Sequence, residues 1–261
     1  MTAIEKLHQA TERNKSLLCV GLDVDISKFP DGISRDMDGI VEFNRQIIEA
    51  TSDLVNSYKL NFAFYEQYGI EGLEAMKRSI QLIPNNILII GDAKRGDIGN
   101  TSKAYAKAVF ETFGCDAITV APYMGKDSVL PFLEYKDKLT FVLCLTSNPG
   151  SEDFEKQNIG DQTLYELVMK RSLEWGSENI GFVTGATHPS EIEKLRRIND
   201  KVPFLIPGIG AQGGDLKATL KANGNSPACI NASRAVIYAS SESNFAEVAR
   251  KVAENYVAEM K

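Results

Sequence analysis

Cysteine is scarce in this sequence and follows no pattern. Cys19, Cys115, Cys144 and Cys229 lie far apart among apolar or small residues, and no CxxC pair occurs. Buried free thiols in a reducing cytosol are therefore expected, not a disulfide framework. Histidine is scarcer still: His8 falls in a helical stretch and His188 just before Pro189. Neither stands at a strand end beside another ligand, so no metal site is expected. An excess of positive charge is also missing. Lys and Arg number 29 against 35 Asp and Glu, a net −6, which disfavours a general nucleic-acid binder but leaves room for a local pocket for a small anion. No apolar run approaches a membrane span. The opening MTAIEKLHQATERNK lacks the apolar core of a signal peptide. The expectation is a soluble, cytoplasmic protein with no membrane or nucleic-acid partner.

What the chain has is core-forming residues and alternation. Of its 261 residues, 43% are hydrophobic, enough for one large barrel or two smaller domains. Short apolar strand candidates fall at Leu17–Leu22, Leu54–Leu60, Ile87–Asp92, Ala117–Val120, Leu139–Leu145, Ile180–Val183, Val202–Ile206 and Ala228–Asn231. Amphipathic patterns fall at residues 2–13, Gly39–Asp53, Gly69–Leu82, Thr101–Phe113, Ser128–Tyr135, Leu164–Trp175, Pro189–Ile198, Asp215–Asn223 and Asn244–Met260. Eight strands alternating with helices predict an α/β fold, a (β/α)8 TIM barrel, with an open doubly wound sheet as its competitor. A dinucleotide-type sheet wants its glycine-rich turn after the first strand. Here that strand ends in Asp23 and Asp25, and the glycine-rich turn follows the seventh. No linker interrupts the pattern, so residues 1–261 are expected to form a single barrel domain.

The chemistry concentrates in ILIIGDAKRGDIGNT, Ile87 to Thr101. A wholly apolar run meets charge abruptly at Asp92, Lys94, Arg95 and Asp97. If the strand continues, Asp92 and Lys94 point the same way, because side chains alternate with period two. Asp97, after Gly96, can curl back or reach across to a partner. Carboxylates flanking an ammonium hold it charged, which disfavours a neutral Schiff-base Lys94. The bland alternative is a charged loop with Asp97 capping the next helix. Asp23, Lys59, Asn61, Asp92, Lys94, Ser147 and Arg234 all fall at or just past proposed strand ends. They cluster only if the barrel forms, since its strand ends meet around one mouth.

The segment PGIGAQGGD, Pro207 to Asp215, offers glycines for close backbone approach, and Gln212 an amide donor. Arg234, beyond the eighth strand, adds a fork for two phosphate oxygens. Phosphate in barrels commonly binds between these two loops.

Read together, these blocks resemble orotidine 5'-monophosphate decarboxylases over nearly the whole chain. DAKRGDIGNT holds the Asp-x-Lys-x-x-Asp frame. LDVD at Leu22–Asp25, YKLNFAFYE at Tyr58–Glu66, TSNPG at Thr146–Gly150 and GATHP at Gly185–Pro189 match as well, and the wording is similar to the type 2 subgroup. The resemblance implies cofactor-free decarboxylation to uridine 5'-monophosphate in pyrimidine biosynthesis by a homodimer with shared sites. It implies that Asp23 contacts the ribose, with Asn61 near the same edge, and that Lys59 binds a ribose hydroxyl and orients Asp92. Asp92 would face the leaving carboxylate and Lys94 supply the proton. Asp97 and Thr101 would come from the partner subunit. Ser147, with Thr146 beside it, would bond the pyrimidine, and Gln212 and Arg234, with the loop from Pro207, would grip the phosphate. Gly99 stands where several relatives carry proline, a difference of loop stiffness. A metal-dependent sugar-phosphate lyase on the same barrel and a non-catalytic phosphoribosyl-ligand binder are the competing readings. Lys59 at its strand end disfavours the first. The costly Asp92, Lys94 and Asp97 charge cluster disfavours the second.

Overall fold

The computed structural model describes every residue except Ser177, Ala211 and Gln212. In chain order its elements are α1 (Ala3–Asn14), β1 (Leu18–Gly21), α2 (Met37–Thr51), β2 (Ser57–Asn61), α3 (Ala63–Glu66) and α4 (Gly69–Gln81). Then come β3 (Leu88–Arg95), α5 (Gly99–Lys107), β4 (Ala117–Val120), α6 (Lys126–Leu133) and β5 (Leu139–Leu145). A small hairpin of β6 (Asn158–Ile159) and β7 (Gln162–Thr163) precedes α7 (Leu164–Leu173). The chain finishes with β8 (Ile180–Thr184), α8 (Pro189–Ile198), β9 (Phe204–Pro207), α9 (Leu216–Asn223), β10 (Ala228–Ala232), α10 (Arg234–Ile237) and α11 (Phe245–Glu259). Eight strands close in the order β1-β10-β9-β8-β5-β4-β3-β2, every pairing parallel. This is a TIM barrel.

Period-two alternation along each strand makes two cores. Residues such as Leu18, Val20, Ile89 and Val142 face outward into the layer shared with the helices. Cys19, Leu88, Ile90, Leu139, Phe141, Val183 and Leu205 face inward. The inward cluster fills only the amino-terminal half of the barrel, where Ala3 and Leu7 of α1 join it as a plug. Lys6 Nζ holds the plug down through Asp116 Oδ2 at 2.7 Å. That carboxylate also accepts the Ile89 N–H at 3.0 Å. With the bottom sealed by apolar packing, the inward positions further along each strand are left to form a pocket.

The elements differ from expectation mainly at their ends. The strand expected from Leu54 begins at Ser57, because residues 51–56 form the turn out of α2, with Leu54 N–H bonded to Thr51 O at 2.9 Å. The strand expected to stop at Asp92 runs to Arg95 through an irregularity: Gly91 pairs with Ile118, but Arg95 pairs with Val120. Two extra residues on β3 are thus absorbed, and Lys94 takes a left-handed φ of 46°. The helix expected over Thr101–Phe113 starts at Gly99, is α-helical to Lys107 and ends in a π turn at Ala108–Thr112. The short α3, α10 and the β6–β7 hairpin lack a hydrophobic period of their own and were not expected. Among the described residues, no helix is long and apolar enough to cross a membrane.

Candidate active site

A cavity of about 440 Å³ opens at the carboxyl ends of the barrel strands, within the usual range for a small-molecule site. Asp23, Lys59, Asn61, Asp92 and Lys94 line it. Thr146, Ser147, Pro207 and Arg234 line it as well. Residues scattered over more than two hundred positions therefore meet as the sequence implied. Gln212 lies outside the described residues. Asp97 and Thr101 do not line the cavity. Asp97 Oδ1 accepts the adjacent Ile98 N–H at 2.7 Å, and Thr101 sits exposed in the first turn of α5. Asp97 does not cap that helix, whose cap position is Ile98.

Asp92 is the hub of the charge network. Its Oδ2 accepts from Lys59 Nζ at 3.1 Å and its Oδ1 from Lys94 Nζ at 2.7 Å. Lys59 reaches Asp23 Oδ1 as well, at 3.1 Å. The ammonium between two carboxylates is therefore Lys59. Within the chain Lys94 pairs with Asp92, and among the described residues no ion pair joins it to Asp97. The side chains of Lys59 and Asp92 are 4% and 9% exposed, that of Lys94 48%. The network is thus a buried base with one cation open to the cavity. Burial alone pushes the Asp92 carboxyl up. The charges of Lys59 and Lys94 and the hydrogen bonds of Lys94 and Thr119 outweigh it, so the group lies below its ordinary 3.8. For Lys59, burial favours the neutral amine, but Asp23 and Asp92 prevail and raise it above 10.5.

Four residues at the site have no counterpart among the sequence candidates. Thr119 of β4 donates its hydroxyl to Asp92 Oδ1 at 2.9 Å and accepts the Lys94 N–H at 3.0 Å. Its inward parity with Ala117 was the available signal. Glu155, in the loop before α7, accepts both the N–H and the hydroxyl of Thr146 at 2.7 and 2.9 Å, fixing the strand end that presents Ser147. No local pattern marks it. Asn231 and Ser233 follow the inward period of β10 into the cavity. Gly185 is required by close approach: a Cβ there would stand 2.8 Å from the Ser147 backbone.

Arg234 opens α10, exposed and lining the cavity, and among the described residues no carboxylate pairs with it. The Pro207–Asp215 turn lies in the preceding loop. Gly208, Gly210 and Gly213 take positive φ there, and Gly214 N–H bonds back to Gly208 O at 3.0 Å. The cavity thus carries an exposed arginine and a glycine-rich turn together with a buried ion network.

A closed parallel barrel with such a pocket at its strand ends defines a barrel enzyme acting on a small anionic substrate. A model of the "Orotidine 5'-phosphate decarboxylase / HUMPS family" matches residues 16–251. A relative from Dehalococcoides mccartyi, named orotidine 5'-phosphate decarboxylase, is 53% identical over 97% of this chain and 95% of its own. The structure of Leishmania donovani OMP decarboxylase superposes with a TM-score of 0.87 at 38% identity, covering 100% of this chain and 99% of that one. Leishmania donovani UMP synthase gives 0.89 at 40% identity; this chain covers 57% of that longer protein. The chain belongs to the orotidine 5'-phosphate decarboxylase / HUMPS family and is a carboxy-lyase of pyrimidine biosynthesis.

Proposed function

We propose that this cavity converts orotidine 5'-monophosphate to uridine 5'-monophosphate without a cofactor, using Lys94 as the acid and Asp92, Lys59 and Asp23 as its fixed electrostatic base. The carrying observation is the continuous Asp23–Lys59–Asp92–Lys94 network, in which Lys94 is the most open member. The C6–carboxylate bond breaks, carbon dioxide departs, and the electron pair left in the ring plane at C6 takes a proton from Lys94 Nζ. The ammonium stabilises that pair before protonating it, and its exposure lets solvent return the proton. Asp92, held ionised, pairs with Lys94 and faces the substrate carboxylate. Asp23, Lys59 and Asn61 take the ribose, and Thr146 and Ser147 the pyrimidine. Pro207, Gln212 and Arg234 take the phosphate, whose remote binding energy supports closure over the ring.

In this reading two copies of the chain complete each other's sites. Asp97 and Thr101 sit outside their own cavity, and the loops after β3 and β4 leave apolar side chains open: Ile98 is 54%, Met124 47% and Tyr123 93% exposed. A second copy seated over the loops after β3 and β4 would cover them and receive Asp97. The chain works as one barrel unit over residues 1–261. Its four buried free thiols fit a reducing cytoplasm.

The test is to add orotidine 5'-monophosphate with excess chelator and follow the loss of pyrimidine absorbance, with the product identified by mass. Turnover that persists with the chelator is expected. No turnover, or turnover restored only by a divalent metal, would refute the proposal.

A further inference from the structure

Thr119 is 1% exposed and lies in β4 behind the charge network, outside the cavity lining. Its hydroxyl makes two bonds of fixed direction. The Lys94 backbone N–H can only donate, so Thr119 Oγ1 accepts there at 3.0 Å. That leaves its single proton for Asp92 Oδ1, at 2.9 Å. The position is set by the irregularity in β3. Between the Gly91–Ile118 and Arg95–Val120 pairings, four steps along β3 oppose two along β4. Lys94 lies in that interval at φ 46°, a conformation that L side chains rarely adopt. A regular ladder would offer its N–H a backbone carbonyl of β4; here a side-chain hydroxyl takes that place.

We infer that Thr119 is a positioning residue for decarboxylation, its hydroxyl tying the strained Lys94 backbone to the Asp92 carboxylate. The inference rests on the reading of Lys94 as the acid. One hydroxyl fixes both the start of the Lys94 side chain and the atom its far end bonds. The Lys94 ammonium is 2.7 Å from the same Oδ1. The ring Asp92 Oδ1, Lys94 side chain, Lys94 N–H and Thr119 Oγ1 is therefore closed. When Lys94 gives its proton to C6 it loses its charge, and Asp92 then keeps Lys59 and Thr119 as donors and stays in place. Misplacing a reacting group by about 1 Å can cost on the order of a hundredfold in rate, whereas the phosphate contacts assigned to Pro207, Gln212 and Arg234 come from other loops.

Thr119→Val keeps the shape and removes the hydroxyl; Thr119→Ser keeps the hydroxyl and removes the methyl. Thr119→Val should lower kcat by about ten- to a hundredfold and move KM and the dissociation constant of uridine 5'-monophosphate by less than about threefold. Thr119→Ser should return kcat to within about threefold of wild type. Exchange of the Lys94 amide, followed by nitrogen-15 NMR without substrate, should quicken in the Val variant relative to the β5 amides and stay slow in the Ser variant. Wild-type kcat in Thr119→Val, equal impairment of Thr119→Ser, or an unchanged Lys94 amide would each overturn the inference. If the Val variant does not fold, the Ser variant decides by its kcat and amide exchange. If wild type itself fails to decarboxylate, the reading of the site fails, while the amide exchange still decides whether Thr119 holds Lys94.

Discussion

At the scale of single residues, the site separates an enclosed charge from one open to the cavity. Lys59 is enclosed by Asp23 and Asp92, while Lys94 shares only Asp92 and stands half open. Lys94→Ala should therefore bind uridine 5'-monophosphate measurably, by difference spectra or calorimetry, and lose nearly all turnover. More than a few per cent of wild-type activity would show that another group delivers the proton. Asp92 also leaves a mark on stability. Its folded-state pKa lies below the ordinary 3.8, so the unfolded chain binds its proton first as pH falls. Its contribution is fully present above about pH 4 and is lost as pH drops toward the folded value. Lys59, raised above 10.5, contributes below that ordinary value and is lost only as pH rises through its folded one. Urea midpoints of wild type and Asp92→Asn should thus keep a constant separation from about pH 5 to 9. Below about pH 4 the separation should move in the direction of lost wild-type advantage. A separation independent of pH down to about 3 would show that Asp92 is not held ionised by the fold.

At the scale of elements, strand ends carry the charge network, and the loops beyond them carry the glycine turn and Arg234. The inward period of some strands begins in apolar packing and ends in polar side chains: Leu88 and Ile90 lead to Asp92, and Cys229 to Asn231. That period was legible in the sequence because it is local. The Glu155 anchor under Thr146 was not, because the two lie nine positions apart across a segment with no repeating pattern. The loop ending at Arg234 should act as the phosphate grip. Arg234→Ala removes charge-assisted bonds worth roughly 1.5–3 kcal/mol each. It should raise KM and lower kcat together, reducing kcat/KM about tenfold or more, because remote binding energy supports closure. Unchanged kinetics with the nucleotide would remove Arg234 from the site.

At the scale of the whole molecule, the barrel plugged by α1 forces the pocket to one end, and in the proposed reading Asp97, which does not line its own cavity, makes that pocket a matter for two chains. A Lys94→Ala chain lacks its own acid but can still donate Asp97; an Asp97→Ala chain has the reverse defect. Each homodimer should be nearly inactive. In a mixed dimer one site carries both defects and the other neither. Random pairing of equal amounts makes about half the dimers mixed, so roughly a quarter of wild-type activity should return after subunit exchange. No recovery, with mixed dimers demonstrated by mass spectrometry, would place Asp97 in the service of its own chain.

The sequence by itself determined the alternation of eight apolar strands with helices, the inward and outward faces, and the charged ends that meet at one mouth. These follow from hydrophobic period and chain order, which are local properties repeated along the chain. Only the tertiary structure decided that Lys59, not Lys94, lies between two carboxylates, that Asp97 turns away from its own cavity, and that Thr119 ties Lys94 to Asp92. Those facts depend on register across strands. The two extra residues in β3 shift Lys94 relative to β4 and bend its backbone into a left-handed conformation, and no one-dimensional pattern records which neighbour then comes within reach.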